Sequence, residues 1–201
     1  MLRIITQQAD VRSELQRICD RTNDEQVLHK EATVREVLQA VKRQGDKAVL
    51  HYTEEFDHQI LKPEELRVTG SEIDAAYQQV SKELVEAIRL ASRQIRHRVP
   101  KSWVHFDDDE VVLGKRYTPV DRAGIYVPGG RAAYPSTVLM NAIPAQVAGV
   151  RRIIMVTPPG ASKTIYPAVL VAAQEVGLQE IYRVGGAQAI AALAYGTKTI
   201  P

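Results

Sequence analysis

Two polar side chains stand next to glycine pairs in a pattern that suits ligand binding. Tyr126 lies in Gly124-Ile-Tyr-Val-Pro-Gly-Gly130, and Gln188 follows Gly185-Gly186. A tyrosine brings a planar face and a hydroxyl, and a glutamine amide both donates and accepts. A glycine pair between a strand and a helix lets backbone N–H groups approach a phosphate or ribose closely. Both residues are therefore candidate cofactor contacts. The residues alone leave a plainer reading open for each: Tyr126 as a half-buried strand aromatic, Gln188 as a helix-start residue bonding local backbone, and the glycine pairs as structural turns.

Other chemistry finds less support. The histidines are His29, His51, His58, His97 and His105, and none stands at i,i+4 to another. With no Cys/His cluster, a complete catalytic metal site is not expected in the chain. Asp107-Asp-Asp-Glu110 lacks the glycine and the spaced glutamate of a calcium loop, and reads as a solvated turn before a strand. No Gly-x-Gly-x-x-Gly follows a strand, and there is neither a P-loop nor a nucleophile elbow. Cys19, the one cysteine, sits at the edge of an apolar face made by Val11, Leu15 and Ile18. It reads as a small buried hydrophobe rather than a nucleophile.

The whole chain sets wider bounds. It has 201 residues, 45% hydrophobic and 25% charged, enough for one large or two small soluble domains. A net charge of +2 and few aromatics argue against a nucleic-acid partner. A single cysteine precludes a disulfide framework and suits a reducing compartment. Neither a signal peptide nor a membrane span is legible, so the expected location is cytoplasmic.

The elements that must carry Tyr126 and Gln188 separate into two regions. Residues 1–121 read as helix-rich. Thr33-Val-Arg-Glu36 has the form of a capping box opening a helix that Gly45 ends. A second helix covers 46–56, and Ser71 and Ser81 read as caps of two more. Leu84, Ile88, Ala91, Ile95 and Val99 form one apolar stripe on the last of these, with Arg89, Arg93, Arg96 and Arg98 on a solvated face. Val111–Leu113 and Lys115–Tyr117 suggest a hairpin around Gly114, within 111–120.

Residues 122–201 alternate strand and helix. Strands are expected at 122–127, 152–156 and 180–184. Helices are expected at 136–150 (capped by Ser136 and kinked at Pro144), 163–176 and 185–195. This is an α/β pattern, a helical region followed by an incomplete doubly wound, Rossmann-like parallel sheet. Gly129-Gly130, Pro158-Pro159-Gly160 and Gly185-Gly186 fall where strand C-termini and ligands meet. The last helix is followed by Gly196–Pro201 with no returning strand. The expectation is a piece of a longer protein.

Gly124–Gly130, Ser136–Gly149 and Val184–Thr197 resemble histidinol dehydrogenase in order and spacing, as does Gly45–Asp57. The likeness extends over nearly the whole chain. It implies the aldehyde/histidinol dehydrogenase-like fold and oxidation of L-histidinol to L-histidine, the last step of histidine biosynthesis. It further implies two NAD-dependent steps, one zinc ion per site, a Glu–His pair for base catalysis and a homodimer with shared active sites. The family's cofactor-binding tyrosine and glutamine match Tyr126 and Gln188. Its zinc ligands and catalytic pair fall beyond the position of Pro201, so no catalytic or metal residue is expected here, and the chain alone is expected to be inactive. Two alternatives stand beside this: a non-catalytic chain acting only as an association or NAD-binding module, and a cysteine-dependent aldehyde or acyl-phosphate reductase, for which Cys19 is badly placed.

Overall fold

The computed structural model describes residues 4–19, 25–106, 112–129 and 133–201. Among the described residues six helices come first: α1 (Gln8–Cys19), α2 (Glu25–Gln44), α3 (Asp46–Asp57), α4 (Pro63–Leu66), α5 (Gly70–Tyr77) and α6 (Lys82–Arg98). On α1, Leu15, Ile18 and Cys19 are exposed. Cys19 is thus not the buried hydrophobe expected from its neighbours, because the apolar face of α1 is itself left uncovered.

Helix α2 begins well before the anticipated cap. Thr33 lies inside it, and its hydroxyl donates to the His29 carbonyl at 3.1 Å. A threonine hydroxyl can bond the carbonyl four residues back, so a capping-box sequence is also compatible with a helix interior. The preceding turns hold good helix formers and let the helix start early. For α5 the cap is Thr69, not Ser71. The Thr69 hydroxyl accepts from the Glu72 N–H at 3.3 Å, and Glu72 accepts from the Thr69 N–H at 2.9 Å. Glu72 is long enough to reach back and complete the pair. Ser81 caps α6 as expected, accepting from Leu84 N–H. The buried face of α6 runs through Val85 and Ile88, and Leu84 is exposed.

Strands β1 (Trp103–Phe106) and β2 (Val112–Lys115) pair antiparallel, with Phe106 opposite Val112 and Trp103 opposite Lys115. Gly114 is not the turn. It sits within β2 opposite Val104, with a Cβ position 2.7 Å from the Trp103 carbonyl oxygen, so it serves a close approach of strands. The acidic run 107–110 lies outside the described residues.

The parallel sheet has the order β3 (Arg122–Tyr126), β4 (Arg152–Thr157), β5 (Glu180–Arg183). Helix α7 (Pro135–Ala148) follows β3, α8 (Pro167–Glu175) follows β4 and α9 (Gly186–Tyr195) follows β5. Pro135, rather than Ser136, opens α7, which continues through Pro144. Helix α8 starts four residues later than expected. Ser162 and Lys163 have φ of 60° and 61°, a left-handed pair that no α-helix accommodates.

Both faces of the sheet are covered, as parallel strands require. Ile125, Val127, Met155 and Ile181 face a core completed by α5, α6, α7 and α8. Ile154, Val156, Tyr182 and Val184 face a second core with α2, α3, α4 and α9. Each core therefore draws on both sides of the 121/122 change in pattern. At the outer edge of β5, Arg67 forms an antiparallel bridge with Tyr182, and Val68 N–H donates to Ile181 at 2.9 Å. The outer edge of β3 pairs with no described strand. The final residues return to α3. The Thr199 hydroxyl donates to Asp46 at 2.7 Å, and Ile200 is fully buried. Among the described residues no helix is long and apolar enough to cross a membrane.

Candidate nucleotide-binding edge

Strand alternation decides which way Tyr126 looks. Ile125 and Val127 point into the α7/α8 core, so Gly124 and Tyr126 turn to the α9 side. A Cβ at Gly124 would lie 2.7 Å from Leu193 Cδ1, and its absence lets α9 close onto β3. Tyr126 then meets the start of α9, where its hydroxyl accepts the Gly186 N–H at 3.2 Å.

Gly186 has a φ of +62°, a conformation suited to glycine. A Cβ there would also fall on Gln188 Oε1. The Gln188 side chain is fully buried, and among the described residues neither its oxygen nor its nitrogen has a hydrogen-bond partner. It does not cap α9 either. Leaving such a buried amide unpaired costs ~1–3 kcal/mol, so the group calls for a bond that the described residues do not supply.

The two residues singled out in the sequence are thus brought together at the C-terminal edge of the sheet, one at the end of β3 and the other in the first turn of α9. Gly129 and Gly185 flank Pro158 in the loop after β4. A Cβ at Gly129 would lie 2.7 Å from Pro158 Cγ, and one at Gly185 would lie 2.5 Å from Pro158 Cβ. Gly130 lies outside the described residues. A hydroxyl, an unpaired amide, a helix start and closely packed glycine turns can bind and orient a nucleotide. Neither a carboxylate nor an imidazole stands among them to act as a general base.

Arg183 is the neighbour that the sequence reading passed over. It closes β5 at 7% exposure, donating to the Lys163 carbonyl at 2.8 Å and to Glu72 at 2.5 Å. An arginine amid the apolar Ile181, Tyr182 and Val184 was the available signal. Burial pushes the Glu72 carboxyl up, but bonds from Arg183 and Thr69 outweigh it and hold the group below the usual carboxylate range. Among the described residues, no group of three or more His, Cys, Asp or Glu side chains could hold a metal ion. The zinc implied by the resemblance therefore has no fitting ligand set in the described part of the chain.

The family model for histidinol dehydrogenase matches residues 20–201. "Histidinol dehydrogenase 2" of Trichormus variabilis is 86% identical over 205 aligned positions, covering 100% of this chain and 47% of that protein. The histidinol dehydrogenase of Gloeobacter violaceus is 62% identical, covering 100% of this chain and 46% of its own length. The crystal structure of histidinol dehydrogenase from Elizabethkingia anophelis superposes with a TM-score of 0.75 at 39% identity, over 85% of this chain and 40% of that one. The chain spans about half the length of the curated relatives it matches. With its parallel α/β sheet and its match over nearly every residue, the chain belongs to the histidinol dehydrogenase family.

Proposed function

We propose that this chain is the N-terminal, NAD-binding part of an enzyme that oxidises L-histidinol to L-histidine in two steps. The observation that carries the reading is the fully buried, unpaired Gln188 amide beside the Tyr126 hydroxyl and the Gly186 N–H. NAD, when bound, supplies the hydride acceptor for each oxidation. Tyr126 and Gln188 bind and orient it, and the glycine turns bring backbone close. The zinc ligands and the Glu–His base belong to the C-terminal half of the family polypeptide, and no proton transfer or metal step is assigned to these residues. The working enzyme is a cytoplasmic homodimer. Mixing the purified chain with NAD and L-histidinol tests this: saturable NAD binding without formation of reduced nicotinamide is expected. Turnover that persists in a chelator would overturn the assignment of base and metal to the other half.

A second reading, association without catalysis, has its own support. Trp103, Val104, Phe106, Val112 and Leu113 are all exposed on the β1–β2 pair, and the outer edge of β3 pairs with no described strand. Light scattering tests this second reading. A monomer at high concentration counts against association as the chain's function.

A further inference from the structure

The loop between β4 and α8 is held at both ends by contacts that converge on the nucleotide-binding edge. At one end Pro158 is wedged between Gly129 and Gly185. At the other, Ser162 and Lys163 are both left-handed, at φ 60° and 61°. Neither residue type favours that conformation, so surrounding contacts must maintain it. Three are present. Gly160 N–H donates to Thr164 O at 2.7 Å, closing the loop on itself. Lys163 Nζ reaches Glu65 at 3.1 Å. The buried Arg183 guanidinium donates from one nitrogen to the Lys163 carbonyl and from another to Glu72. Arg183 lies only two residues before Gly185, so one side chain ties the exit of β5 to the strained part of the neighbouring loop.

We infer that Arg183 is a positioning residue: by holding the Lys163 carbonyl it keeps the Pro158 wedge in place, and the wedge sets the spacing of the Gly129 and Gly185–Gly186 turns that receive the cofactor. This rests on the reading of that edge as an NAD site. The planar fork of arginine serves two acceptors in fixed directions, whereas a lysine ammonium is a point charge that does not reproduce the fork. Charge alone therefore does not replace Arg183. Glu72 is the less critical partner: in Glu72→Gln the one amide oxygen can still accept from the guanidinium, and the bond given up is the helix-capping one from the Thr69 N–H to the other oxygen.

The test compares Arg183→Lys, Arg183→Met and Glu72→Gln with the parent chain. NAD affinity and amide hydrogen exchange at Gly160 and Gly186 are measured, with the thermal midpoint confirming the fold. Both Arg183 variants should weaken NAD binding about tenfold and speed exchange at both glycines, while Glu72→Gln stays within about twofold of the parent. If Arg183→Met does not fold, Arg183→Lys decides. Parental NAD affinity in Arg183→Lys overturns the inference, whatever the exchange rates. An equal loss in Glu72→Gln and Arg183→Lys also overturns it, because the ion pair and not the loop would then be responsible. If the parent itself binds no NAD, the reading of the edge fails separately. Exchange then decides the role of Arg183 in holding the turns: unchanged rates refute it and faster rates support it.

Discussion

Gln188 spends stability on an amide that the described residues leave unpaired. An apolar side chain of similar length would remove that cost and the proposed cofactor contact together. Gln188→Met should therefore stabilise the chain by ~1 kcal/mol while weakening NAD binding about tenfold. Thermal melts and NAD titration check the two signs, and a variant that loses both stability and affinity would show that the amide belongs to the core. Asp57 is half-buried at the end of α3, and its buried Oδ2 has no partner among the described residues. Burial pushes its carboxyl above the ordinary value, with His58 pulling the other way. The fold favours the protonated form, so this contribution is fully present at acid pH and is lost as pH rises through the folded pKa. Asp57→Asn should raise the thermal midpoint by about 2 °C at neutral pH, and the gain should shrink as pH falls and the Asp57 carboxyl takes up its proton. A gain that persists at acid pH would contradict the burial argument.

The elements differ in how much of them could be read from the sequence, and the reason is physical. Strands β3, β4 and β5 are short runs punctuated by Gly and Pro, with β4 and β5 largely buried and β3 buried only at Ile125, and their ends come out within a residue or two of expectation. Tyr126 and Gln188 were legible because they stand beside those punctuation marks. The start of α2, the hairpin and the start of α8 depend on contacts distant in sequence or on backbone angles. Thr33 looks the same as a cap or an interior residue, Gly114 looks the same as a turn or a close-packed strand position, and nothing in Ala161-Ser-Lys163 announces two left-handed residues. Arg183 escaped for a related reason, since its partners Glu72 and Lys163 lie on separate elements. Where β5 passes into α9, Gly186 is the position with least tolerance. Gly186→Ala should cost ~2 kcal/mol from positive φ and from displacement of Gln188. Denaturant unfolding measures it, and a neutral outcome would mean that the turn relaxes freely.

At the scale of the molecule, the helical region and the sheet are one folding problem. The core under α7 and α8 includes Val68, Ala76, Val85 and Ile88, and the opposite core includes Val37, Val41, Val49 and Leu66. Residues 122–201 expressed alone should therefore lack fixed tertiary packing. Near-ultraviolet circular dichroism and amide exchange test this, and a cooperative native-like melt would contradict it. The chain covers about half of its relatives' length and belongs to a family named for an oxidation, yet the chemistry assigned to it is binding and orientation. That claim is tested most directly by titrating NAD into the isotopically labelled 201-residue chain and following backbone and side-chain amide resonances. Saturable shifts confined to Gly129, Gly185, Gly186 and the Gln188 side-chain amide are predicted. Shifts that never saturate, or that cluster away from this edge while the Gln188 amide stays still, would contradict the account.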